Sequence, residues 1–207
     1  MTRTRIKICG ITREQDAASA VRHGADAIGL VFYPQSPRYV AIDHAARLAS
    51  GMPAFVAVVA LFVNPDAGHV QQVIARVRPQ YLQFHGDEPP AFCSAFNLPF
   101  IKAVRMKPDI DLLQYARDYR DACGLLLDAD AAGYGGGGAT FDWELVPANL
   151  QMPAILSGGL NPGNVESAVR KVVPWAVDVS SGVEVAKGIK DDAKIEAFCS
   201  GVRNANV

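Results

Sequence analysis

Hydrophobic positions along the chain fall into two repeating patterns. Short apolar runs without strict alternation occur at residues 25–32, 55–63, 100–104, 124–127, 154–157 and 175–179. Continuous apolar runs of that length suit strands covered on both faces, as in a parallel sheet. Two further strands are more mixed. Residues 5–9 alternate charged and apolar side chains, and residues 81–85 read Tyr-Leu-Gln-Phe-His. Between these runs lie stripes at i, i+3, i+4, i+7: Val70, Val73, Ile74, Val77; then Val165, Ala168, Val169, Val172; then Ile195, Phe198, Cys199, Val202. Each draws one apolar face on a helix. Leu112, Leu113, Tyr115 and Ala116 give a weaker stripe. Pro89-Pro90 can open a short helix, Asp142-Trp143-Glu144 another, and Thr12 can cap a helix beginning at Arg13.

Eight strands alternating with helices in 207 residues is about 26 residues per unit, near the lower size limit of a closed barrel. The expected fold is therefore an α/β chain: a single-domain (β/α)8 TIM barrel over residues 1–207. A doubly wound open sheet would need fewer strands and would more often carry G-x-G-x-x-G after the first. Cys9-Gly10-Ile11-Thr12 is not that motif.

Composition narrows the classes. A net charge of -1 offers no basic field, so nucleic acid is not an expected partner. The longest clean apolar run, Ala54 to Val63, is about half the length of a membrane span, so no membrane partner is expected. Arg3 and Arg5 precede no apolar signal core. The four cysteines (Cys9, Cys93, Cys123, Cys199) form no C-x-x-C pair, against both a structural zinc and a disulfide framework. A cytoplasmic enzyme is the expectation.

In a barrel, chemistry sits at the C-terminal ends of strands and in the loops that follow. Those places hold Cys9, then a Pro-rich loop ending in Arg38, then Asn64, Gln83 with His85, Arg105, and Asp128 ahead of a Gly-rich loop. Last come Ser157-Gly158-Gly159 and Asp178 with Ser180-Ser181-Gly182. Gly-rich turns let backbone N–H groups converge on an anion, and the loops after strands seven and eight often bind phosphate. Ser180 to Glu184 can start the short extra helix of such a site. Cys9 reads either as a base once ionised or as a small buried hydrophobe. Asp128 reads as an acid or a loop cap, with Asp130 competing for the acid role. Arg38 reads as an anion-binding fork or a solvated charge. His85 reads more readily as structural. Cys93, Cys123 and Cys199 read as packing.

These stretches resemble the phosphoribosylanthranilate isomerase family. The matching segments are Lys7-Ile8-Cys9-Gly10-Ile11-Thr12, Phe32-Tyr33-Pro34 with Ser36-Pro37-Arg38-Tyr39, Gln83-Phe84-His85-Gly86, Leu127-Asp128, Tyr134-Gly135-Gly136, Thr140-Phe141-Asp142-Trp143, Ser157-Gly158-Gly159-Leu160-Asn161-Pro162 and Asp178-Val179-Ser180-Ser181-Gly182-Val183-Glu184. They run in family order over nearly the whole chain. The resemblance implies an Amadori rearrangement of N-(5-phosphoribosyl)anthranilate to an amino-ketose phosphate, in tryptophan biosynthesis. It implies no cofactor and no metal. By position it makes Cys9 the general base at C2′ and Asp128 the general acid at the ring oxygen. Arg38 would meet the anthranilate carboxylate. Loops near Gly136, Gly158, Gly159, Ser180 and Ser181 would hold phosphate, and His85 and Asp178 would join the substrate-binding set. The partner is the small-molecule substrate, and a monomer is expected, with a dimer as the alternative. Family members usually carry Leu at Phe84, and a polar or basic residue at Ala139, so backbone amides are the expected phosphate donors in that loop.

Two readings compete. Another sugar-phosphate barrel enzyme is one. An indole-glycerol-phosphate synthase would use Lys and Glu at strand ends, and Lys102 in strand five has no evident acid partner in the sequence. The other is a non-catalytic barrel that binds a phosphorylated ligand.

Overall fold

The structure, a computed structural model, describes residues 3–129 and 140–205. Eight strands close into one parallel barrel: β1 (Arg5–Cys9), β2 (Ala27–Val31), β3 (Ala57–Phe62), β4 (Tyr81–Phe84), β5 (Phe100–Met106), β6 (Gly124–Ala129), β7 (Ala154–Leu156) and β8 (Ala176–Val179). Helices lie between and after them: α1 (Glu14–Arg22), α2 (Ile42–Ser50), α3 (Ala67–Val77), α4 (Pro90–Cys93), α5 (Leu112–Asp118), α6 (Val165–Val172) and α7 (Asp192–Ala205). A small antiparallel hairpin, β9 (Glu184–Ala186) with β10 (Ile189–Lys190), stands outside the barrel before α7.

Closure is made by β1 pairing with β8, Lys7 opposite Asp178 and Arg5 opposite Ala176. The same seam is marked on the lower side by the Arg5 guanidinium, 3.6 Å over the Trp175 ring.

Period-two alternation sorts the strand residues into two cores. Ile6, Ile8, Ile28, Leu30, Ala60, Phe62, Leu82 and Phe84 point outward and pack with Ala17 and Ala20 of α1, Val70 and Val73 of α3, and Ile195, Phe198 and Val202 of α7. The helix stripes read from sequence thus lie against the barrel. Val59, Ile101, Ala103, Leu126, Ile155 and Ala176 fill the lower interior. Cys9, Val31, Leu61 and Val63 line its upper end.

Several local expectations change. Thr12 does not cap α1, whose first residue follows Arg13; its hydroxyl donates instead to the Gly188 carbonyl of the hairpin. Ser180 to Glu184 does not start a helix: one 3-10 turn, Ser181–Val183, passes directly into β9. The segment after Asp142 is likewise a single 3-10 turn, capped by the Asp142 carboxylate accepting from Glu144 N. Helix α2, unmarked in the sequence pattern, buries Ala45 and Leu48. Strand β6 runs one residue past Asp128, and β4 stops before His85.

Candidate active site

The C-terminal end of the barrel opens into a cleft lined by Cys9, Arg38, His85, Asp128, Gly158, Gly159, Asp178, Ser180 and Ser181, together with Tyr33, Ser36 and Ser157. These residues come from β1, β6, β8 and the loops after β2, β4, β7 and β8. Each site residue that the resemblance implies is in that cleft except Gly136, which lies outside the described residues, as does Asp130; of the other strand-end residues, Asn64, Gln83 and Arg105 do not line it.

Cys9 ends β1, 5% exposed and opposite Gly29 of β2. Two residues earlier on the same face, Lys7 places its Nζ 2.7 Å from Asp178 Oδ1, with both side chains buried. Ser157 Oγ donates to the other Asp178 oxygen at 3.5 Å. Burial pushes the Cys9 thiol above its ordinary value; the Lys7 and Lys190 ammoniums pull it down and the Asp178 carboxylate adds to the rise. Burial would lower Lys7, but Asp178 and Cys9 outweigh it and hold the ammonium above its usual value. The resting sulfur is therefore a thiol with cations beside it, poised to stabilise a thiolate when one forms.

Asp128 is held at both oxygens. Oδ1 accepts from Ala129 N at 2.9 Å, and Oδ2 lies 3.0 Å from His85 Nε2. His85, the residue after β4, has its Nδ1 3.0 Å from Nε2 of Gln83 on that strand. Both ring nitrogens of His85 are thus engaged, one by Gln83 and one by Asp128, which fixes the orientation of the ring. His85 thus touches Asp128 directly, a contact the sequence did not signal.

The anion end is built from turns. Gly158 (φ 76°) and Gly159 (φ 63°) occupy the left-handed region, where a side chain is strained. A Cβ on Gly158 would also stand 2.5 Å from Ala129 N and 3.1 Å from Asp128 Oδ1. That turn can sit against the acid only as glycine. Asn161 and Asn164 amides both donate to the Gly159 carbonyl and pin the loop.

Arg38 reaches the cleft from the β2 loop, but not as a free cation. Its Nε and Nη2 each donate to Glu184 at 2.8 Å. Glu184 also accepts from Lys190 at 2.8 Å. Neither Glu184 nor Lys190 was singled out from sequence, because the pairing depends on the hairpin register Lys190 to Glu184. Lys7 could have been found: it is a charged residue alternating in phase with Cys9.

Lys102 does have an acid partner, contrary to expectation. Its Nζ lies 3.0 Å from Glu88 Oε2 and also donates to the Gly86 carbonyl. But Lys102 alternates with Ile101 and Ala103, which face the interior, so the pair sits in the layer between barrel and helices, away from the cleft. A synthase-type lysine at the barrel mouth is not what this residue is. Cys93 and Cys199 are buried as expected, whereas Cys123 is exposed.

A closed (β/α)8 barrel with an acid, a thiol and Gly-rich anion turns at one mouth defines an acid–base enzyme for a phosphorylated small molecule. The family profile described as N-(5'phosphoribosyl)anthranilate (PRA) isomerase matches residues 6–200. A Leptothrix cholodnii N-(5'-phosphoribosyl)anthranilate isomerase is 55% identical over 204 residues, covering 99% of this chain and 93% of that protein. The crystal structure of the Thermotoga maritima phosphoribosyl anthranilate isomerase superposes with a TM-score of 0.90 at 42% identity, covering 97% of this chain and 99% of that one. A second, of a phosphoribosyl anthranilate isomerase complexed with reduced 1-(o-carboxyphenylamino)-1-deoxyribulose 5-phosphate, gives a TM-score of 0.87 at 40% identity, with 97% and 99% covered. The chain belongs to the N-(5'-phosphoribosyl)anthranilate isomerase family.

Proposed function

We propose that this protein converts N-(5-phosphoribosyl)anthranilate to 1-(2-carboxyphenylamino)-1-deoxyribulose 5-phosphate, as an intramolecular aldose–ketose isomerase of tryptophan biosynthesis in the cytoplasm. The observation that carries this is the joint placement of Cys9 and Asp128 in one cleft, with an anion turn packed against the acid. The reaction needs those parts. Asp128 gives a proton to the furanose ring oxygen, which opens the ring and leaves a Schiff base to the anthranilate nitrogen. Cys9, as the thiolate left when its own proton passes to solvent, then takes the C2′ proton, and the enolamine formed goes over to the ketone by gaining a proton at C1′ and losing that of its C2′ hydroxyl. The Gly158-Gly159 and Ser180-Ser181 turns hold the phosphate, and Arg38 meets the anthranilate carboxylate. Fixing both ends of the substrate is what keeps acid and base at reacting distance.

His85 keeps Asp128 turned to the ring oxygen, and Lys7 offers a cation to the sulfur as it ionises. Among the described residues no group of three or more His, Cys, Asp and Glu could hold a metal ion, and no helix is long and apolar enough to cross a membrane. The test is a fluorescence assay of substrate loss in EDTA, run on the wild type and Asp128→Asn. Turnover should survive EDTA and fall by about 10²-fold or more in the variant, the usual worth of a positioned acid. Wild type that binds the substrate without converting it would favour a ligand-binding barrel instead.

A further inference from the structure

The hairpin β9–β10 contributes no strand to the barrel, yet it delivers two buried charges to the edge of the cleft. Glu184 opens β9 and Lys190 closes β10, facing one another in register. The Glu184 and Lys190 side chains are 6% and 0% exposed. The hairpin is fixed to the first βα loop by Thr12 donating to the Gly188 carbonyl and by Arg13 donating to the Lys190 carbonyl.

We propose that Glu184 is a positioning residue: it sets the plane of the Arg38 guanidinium so that its outer edge receives the carboxylate on the aromatic half of the substrate. The proposal rests on the function argued above.

Geometry is the first argument. Glu184 takes the Nε–Nη2 edge of Arg38 with both oxygens at 2.8 Å. A fork–fork contact of that kind fixes a planar group in orientation as well as distance. It leaves the Nη1–Nη2 edge, a second fork of matching shape, for another carboxylate. The Arg38 stem is laid over bare backbone: a Cβ on Gly10 would stand 2.5 Å from Arg38 Cδ and 3.0 Å from Ser180 Oγ. The arm is thus held at its root and at its tip.

Charge is the second. Glu184 alone would cancel Arg38 and weaken its pull on an anion. Lys190, 2.8 Å from Glu184 Oε1, restores the balance: two cations and one carboxylate leave a net positive cluster. Lys190 also donates to the Ser180 carbonyl at 3.0 Å and to Ser180 Oγ at 3.3 Å. The device that aims Arg38 therefore shares a cation with the anion turn after β8.

The test separates aim from charge. In Glu184→Gln one fork bond becomes a contact between two donors. Burial already holds the Lys190 ammonium below its ordinary value, against the opposing pull of Glu184. With that carboxylate gone the cluster still carries at least the Arg38 charge, so charge alone would not weaken its hold on an anion. Orientation is then what changes. KM for phosphoribosylanthranilate should rise about tenfold or more, the size of one charge-assisted hydrogen bond, with kcat within about threefold. The N-(5-phosphoribosyl) derivative of aniline, which has no carboxylate, should be handled alike by wild type and variant. Equal loss on both substrates, or a lowered Tm with KM unchanged, would overturn the proposal in favour of a purely structural ion pair. Should Glu184→Gln fail to fold, Glu184→Gln/Lys190→Met removes the stranded cation and should show the same selective rise in KM; an unchanged KM there overturns it equally. A wild type inactive on phosphoribosylanthranilate would instead sink the function itself.

Discussion

The sulfur of Cys9 has room only because residue 29, its partner across β1 and β2, has no side chain: a Cβ there would stand 2.6 Å from Sγ. Cys9→Ala should keep the fold and lower kcat by about 10²–10⁴-fold, the range for a positioned base. Cys93→Ala, in the helical layer, is the control that should keep its kcat. Alkylation of Cys9 by iodoacetamide should show a midpoint above that of an ordinary thiol, since burial raises its pKa; a midpoint near neutrality in the resting protein would contradict that sign. At this scale the sequence made Cys9 and Asp128 legible, because both fall at strand ends. It left Glu184 and Lys190 hidden, since each looks like a surface charge until the hairpin pairs them. It did not show the contact of His85 with Asp128, which depends on a distance to another strand.

Among elements, the strands were the most readable part of the chain, because double-sided burial imposes unbroken apolar runs. Helix α2 was missed because its buried positions are only Ala45 and Leu48, too few for a stripe. The β9–β10 hairpin was missed because its burial depends on Arg38 and Thr12, residues far away in sequence. Strands β4 and β5 are joined outside the barrel by the Lys102–Glu88 pair, with Glu88 also accepting from Asn64 N and Gly86 N, and its carbonyl accepting from Tyr119 OH. This is a clamp on the loops after β3 and β4. Removing one partner leaves a buried charge, so Lys102→Met should cost about 3–5 kcal/mol in urea unfolding. Lys102→Met/Glu88→Gln should recover much of that loss, and kcat per folded molecule should hold in both. A loss of kcat with stability unchanged would return Lys102 to the list of chemical groups.

On the scale of the whole molecule, the closing seam joins the first strand to the last, and Lys7 meets Asp178 across 171 residues of chain. That has a consequence in time. A ribosome emits β1 long before β8 exists, so the base is made first and the charge pair beneath it last. Until the ring shuts, β1 is an open edge, the kind of surface other chains add to. Activity should therefore arrive in the latest phase of refolding, since such distant contacts form slowly. Trp175 reports the seam, because its ring lies under the Arg5 guanidinium. In a Trp143→Phe background, recovery of native Trp175 fluorescence and of turnover should share one rate in interrupted refolding. Turnover that precedes the Trp175 signal would mean the cleft works on an unclosed ring.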